Sequence, residues 1–90
     1  MGVPALDLIE DEIRRYVVAR AAERGVDAED LGRDDSFVDR HVLDSLALLD
    51  LVMHVERSAG IDIPGEDVVP ENFGSLAAIT EYVRSRVGSP

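Results

Sequence analysis

An all-α fold is predicted by three features of the sequence. Apolar residues recur every three to four positions in three segments, capping and stop residues bracket those segments, and strand-like alternation is confined to one short connector. Ninety residues, 46% of them hydrophobic, suffice for one core and not for two. Residues 1–90 are therefore read as a single domain, with its core spanning about 5–87.

The first helix is expected from about Pro4 to Arg24. Leu6, Ile9, Ile13, Tyr16, Val17 and Arg20 fall at helical spacings, and Pro4 suits a first turn. Asp7, Glu10, Asp11 and Glu12 complement the positive end of the dipole, and Gly25 is a natural stop. The twenty residues from 25 to 44 have no sustained period. A loop of that length in a small domain is uncommon and usually functional. Leu31, Phe37, Val38, Val42 and Leu43 are the residues expected to pin it to the core.

The middle helix is expected from about Ser45 to Ala59. Leu48, Leu51, Val52, Val55 and Ala59 make one apolar face, and Asp50, His54, Arg57 and Ser58 gather on the opposite side. Leu46, Leu49 and Met53 form a second apolar strip beside the polar one. The apolar surface is thus wider than the stripe a surface helix needs. Such a helix is either buried on two sides or keeps one strip exposed for a partner. Gly60 to Pro64 follows as a short alternating connector, and residues 65–69 are expected to form one helical turn before Pro70. The last helix starts at Ser75, a good N-cap, and puts Leu76, Ile79, Val83 and Val87 on one face. Arg84 and Arg86 complement its end, and Gly88 follows. The expected architecture is a four-helix bundle of three main helices and one short one, with a long first loop.

Composition excludes whole classes of chemistry. No cysteine means no disulfide, thiolate metal site or thiol nucleophile, and no lysine means no Schiff base and no Walker-type phosphate loop. Nineteen acids against nine arginines leave −10, which repels nucleic acid and anionic lipid and favours basic protein partners. The excess lies in residues 25–44 and 61–74, on either side of the middle helix. The first residues carry no basic start followed by an apolar run, and no apolar stretch approaches a membrane span, so a cytoplasmic protein is expected.

Catalytic and metal constellations fail on spacing. The best EF-hand frame, from Asp27, puts Leu31 and Val38 where oxygen ligands are required. His41 and His54 have no ligand spacing around them. His54 lies about 180° round the helix and about 13 Å along it from Ser45, beyond hydrogen-bond reach. No G-x-S-x-G elbow is present. Both histidines are read as surface or loop residues, and the chain as no enzyme.

Asp44-Ser45-Leu46 sits where the long loop meets the middle helix. Unpaired N–H groups and the dipole at a helix start favour an attached phosphate. Equally, Asp44 or Ser45 there is ordinary capping chemistry. The surroundings add a third consideration. Asp35-Ser36-Phe37-Val38-Asp39, Val42-Leu43-Asp44-Ser45-Leu46, Leu51-Val52-Met53 with Glu56, Gly60-Ile61-Asp62-Ile63-Pro64 and Glu71-Asn72-Phe73-Gly74-Ser75-Leu76 occur in that order. Over residues 34–83 the chain resembles the phosphopantetheine-binding carrier proteins, which include acyl, aminoacyl, peptidyl and D-alanyl carriers.

The resemblance implies a carrier of the acyl-carrier-protein fold. Ser45 would receive 4′-phosphopantetheine from a phosphopantetheinyl transferase that uses coenzyme A and magnesium. Asp44 would help engage that transferase. The arm's thiol would hold a thioester-bound group and present it to a loading enzyme and to downstream transferases or synthases. Docking is implied for Leu46, Leu49 and Met53, with Asp50 and Glu56, on a monomer. Fatty-acid-type carriers usually have a denser acidic middle helix and a glycine where this chain has Val42. The Val-Leu-Asp-Ser-Leu form is similar to stand-alone carriers of specialised polyketide and nonribosomal pathways, with D-alanyl or fatty-acid carriers as alternatives. From another class, an unmodified acidic interaction module remains.

Overall fold

The computed structural model describes residues 6–87, the first two of them by backbone alone. The expected starts at Pro4 and residue 5, and the stop at Gly88, lie outside the described residues. Four α-helices make up the fold: α1 (Leu6–Glu23), α2 (Ser45–Ala59), α3 (Pro70–Phe73) and α4 (Leu76–Val87). The described residues contain no strand. Helix α4 packs on α1 and α3, and α1 packs on α2.

Each helix ends where its sequence dictates. Gly25 adopts φ +79°, and α1 closes with Gly25 N–H donating to Ala22 O and Val26 N–H to Ala21 O, both at 2.9 Å. This is the paired-bond termination that a left-handed glycine permits. Gly60, φ +68°, also ends α2 in the left-handed region, but there its N–H and that of Ile61 both donate to one carbonyl, Glu56 O. Helix α4 is capped by Ser75, whose Oγ accepts from Ala78 N at 3.1 Å.

The short elements differ from expectation. Residues Gly65–Asp67 form a 3₁₀ turn, and the short α-helix lies after it, beginning at Pro70 instead of ending before it. Proline without an N–H and with φ already helical is suited to a first helical position, so Pro70 starts α3. Phe73, at its end, is fully buried against Tyr82 of α4, ring centroids 5.0 Å apart. Tyr82 O–H donates to Asp67 Oδ2 at 2.6 Å, and Arg86 Nη2–H donates to Asp62 O at 3.0 Å. Burial and the Asp67 bond hold the Tyr82 phenol above its ordinary pKa. The 3₁₀ segment is thereby tied to α4.

The core joins Ile13, Val17, Leu31, Phe37, Val42, Leu51, Val55, Phe73, Leu76, Ile79 and Val83 into one cluster. Four of the five residues expected to pin the long loop do so, while Val38 stands 67% exposed. Arginines finish the task. Arg14 donates to Leu31 O, Arg40 bridges Asp30 and Asp35, and Arg33 donates to both oxygens of Glu10. The Arg33 bonds keep the Glu10 carboxyl below its ordinary value, against the opposing effect of its burial, and Thr80 Oγ1, 3.1 Å away, adds to the lowering. The twenty-residue loop is ordered without secondary structure because its polar atoms find partners on α1 and within itself.

Candidate functional site

Ser45 is the first residue of α2 and is solvent-exposed. The cap is its neighbour: Asp44, in extended backbone geometry, accepts from Ala47 N through Oδ1 at 2.8 Å. An acid at this position satisfies an orphan N–H and faces the positive end of the dipole. With Asp44 closing the helix, no described residue takes the Ser45 hydroxyl as a hydrogen-bond partner. Of the two capping candidates in the sequence, the carboxylate does the capping and the hydroxyl is left facing outward.

Beside Ser45 opens an apolar cleft of about 450 Å³. Phe37, Val38, Leu43, Leu48, Val69 and Phe73 line it, drawn from the long loop, α2, the residue before α3 and the end of α3. Leu48, assigned to the core by its period, is half-buried here and forms cleft wall. Val38 and Val69 stand exposed at the cleft. The period of a helix cannot reveal these two, since both lie outside the main helices. An exposed hydroxyl at the mouth of an apolar cleft fits a covalently attached, partly apolar arm.

The helix α2 carries an exposed apolar strip away from its core face. Leu46 is 70% exposed, and Leu49 and Met53 are each 52% exposed, whereas Ala47, Leu51, Val52 and Val55 are buried. Asp50 and Glu56 do not stand free beside that strip. Asp50 Oδ2 accepts from Arg20 Nη2 at 2.7 Å, across the contact with α1. Glu56 Oε2 accepts from Ile63 N at 2.8 Å and so holds the connector that follows α2.

The polar side of α2 is divided: Arg57 and Ser58 stay exposed as expected, while Asp50 and His54 lie against α1. His54 stacks on Tyr16, ring centroids 4.1 Å apart and 12° from parallel, and its Nε2–H donates to Glu12 Oε2 at 2.7 Å. The imidazole is mostly covered, so the expectation of a surface histidine gives way to an interhelical wedge. His41, by contrast, is exposed in the loop, with φ +55°. The described residues include no group of three or more acids and histidines able to hold a metal ion, and no helix among them is long and apolar enough to cross a membrane.

Comparison with known proteins bears on this geometry. Residues 15–83 match the family described as "Phosphopantetheine attachment site". The acyl carrier protein of Desulforapulum autotrophicum is 32% identical over 78 residues, which cover 87% of this chain and 96% of that protein. The acyl carrier protein of Chlamydia caviae is 28% identical over 80 residues, covering 89% of this chain and 97% of that protein.

Proposed function

The chain belongs to the phosphopantetheine-attachment family, and from that premise we propose that Ser45 is the residue modified. Members of the family are carriers and not catalysts, and their prosthetic group is covalently attached 4′-phosphopantetheine. They work with phosphopantetheinyl transferases and with enzymes that handle acyl groups. The observation that supports Ser45 is its exposure at the head of α2 with the capping work already done by Asp44.

In the transfer, Ser45 Oγ bonds to the pantetheine-side phosphorus of coenzyme A. The P–O bond to the adenosine-side phosphate breaks, and adenosine 3′,5′-bisphosphate leaves with that electron pair. The hydroxyl proton passes to a base on the transferase. Asp44, which is solvent-exposed beside Ser45 at the helix start, would help engage the transferase and its magnesium. Val38, Leu48 and Val69 offer the apolar surface beside the arm. The arm, once attached, supplies a thiol for thioester chemistry and raises the effective concentration of the held group at each docked enzyme.

The outward strip of α2 is apolar, and the two acids of α2, Asp50 and Glu56, are bonded to other parts of the chain, Arg20 and Ile63 N. Partners that meet this strip read shape and apolar surface, with Met53 suited to more than one of them. That favours a loading enzyme and downstream transferases or synthases of a specialised polyketide or nonribosomal-peptide pathway over a partner set that recognises a dense acidic helix. Residues 1–90 act as one domain, a monomer in the cytoplasm.

The test is intact mass. With a promiscuous transferase, coenzyme A and magnesium, the protein gains the mass of one phosphopantetheinyl group, and Ser45→Ala gains none. An unmodified wild type beside a control carrier that loads would overturn the reading and leave an acidic interaction module.

A further inference from the structure

The end of α1 reaches the residues that precede Ser45. Arg24 Nη1 donates to Val42 O at 3.0 Å, and its Nε lies 4.0 Å from Asp44 Oδ2. Val42 N–H is bonded too, to Phe37 O at 2.9 Å. The other oxygen of Asp44 accepts from Ala47 N at 2.8 Å. The segment 42–44 is therefore held from the α2 side by the cap and from the α1 side by one guanidinium. A planar fork with several N–H donors can serve a carbonyl and a carboxylate together, which a single ammonium does less well.

We infer that Arg24 is a positioning residue for modification of Ser45, fixing Val42 and Asp44 so that the hydroxyl enters the transferase in register. The inference rests on the attachment reading above. Arg24 does not touch the donor; it acts through Asp44 and through the backbone one peptide before Leu43. Group transfer is sensitive to displacement of the nucleophile on the ångström scale, so freeing this segment lowers the rate of the chemical step. Docking on Leu46, Leu49 and Met53 does not involve Arg24, so the effect is expected mainly in kcat and little in KM.

The experiment measures kcat and KM for the carrier by the rate of mass gain at saturating coenzyme A, for wild type, Arg24→Gln and Arg24→Lys. Arg24→Gln is expected to lower kcat about tenfold with KM within about twofold. Arg24→Lys, which keeps a donor near Val42 O, recovers part of the loss. In ¹H–¹⁵N spectra of the unmodified protein, the amides of Ser45, Leu46 and Ala47 shift in Arg24→Gln while those of Ile79 and Val83 stay. Unchanged kcat in a folded Arg24→Gln overturns the inference, as does a loss confined to KM, which would make Arg24 a docking charge. If Arg24→Gln does not fold, Arg24→Lys decides: reduced kcat at constant KM supports the role, and wild-type kcat removes it. A wild type that never loads, beside a control carrier that does, sinks the attachment reading itself.

Discussion

Along one flank of α2, Asp50 and His54 lie against α1, held by Arg20, Tyr16 and Glu12; along the other, Leu46, Leu49 and Met53 face water. A surface helix ordinarily does the reverse, with polar groups outward and apolar ones toward its neighbours. The polar seam is stable because each of its groups has a partner: a carboxylate on a guanidinium, and an imidazole stacked on a phenol and bonded to a carboxylate. The apolar strip has no such compensation within the described molecule. Contiguous apolar surface left in water marks an interaction site. The comparison teaches that α2 is fastened to the fold by its core face and its polar flank, which frees the remaining flank, next to Ser45, for other proteins.

Substitutions on the faces of α2 break or sharpen this contrast. The largest effect belongs to the core face, where Leu51 is fully buried. Leu51→Ala is expected to cost about 3 kcal/mol in urea unfolding. A cost below about 1 kcal/mol would mean that α2 is not fastened as described. His54→Ala, on the polar flank, removes a stacked ring and a charge-assisted bond, and is expected to cost about 1.5 kcal/mol. A double-mutant cycle with Glu12→Gln should show coupling; additive losses would show that the seam contributes no shared energy.

The loop offers a third comparison, through its anchor on α1. Glu10→Gln weakens the bonds to Arg33 and is expected to cost about 1 kcal/mol at neutral pH. Because the folded-state pKa of Glu10 lies below its ordinary 4.5, its contribution is fully present above that value. It is lost as pH falls through the lower, folded value. The gap between wild type and variant should therefore narrow in acid melts, and a gap that widens in acid would contradict the sign.

The smallest stability effect is expected on the outward strip. Met53→Glu should change stability by no more than about 0.5 kcal/mol while raising KM for the transferase or the loading enzyme. If the same substitution unfolds the domain, the strip is part of the core and the contrast fails.

Much of the fold is legible residue by residue. The α2 boundaries follow from the capping pair Asp44-Ser45 and the connector that opens at Gly60, while Gly25 as a stop and Ser75 as a cap mark their helix ends. Ser45 is legible as a candidate because it stands at a helix head within a run of family-like residues. Val38 is misleading, since its neighbours Phe37 and Val42 are buried and nothing local separates it from them. Pro70 is equally ambiguous in sequence, as it can stop one turn or start the next, and only the burial of Phe73 on Tyr82 selects the second.

The sequence by itself determined the three long helices, their described ends and the position of the serine, because period, caps and left-handed glycines act between residues a few positions apart. Tertiary structure alone decided which flank of α2 meets α1, which apolar residues stay in water, and what holds the residues before Ser45. Those outcomes rest on pairs such as Arg24 with Val42, Arg20 with Asp50 and Glu12 with His54, separated by 18, 30 and 42 positions. Partners so far apart leave no periodic mark on the chain, and they meet only when the core has brought the helices together.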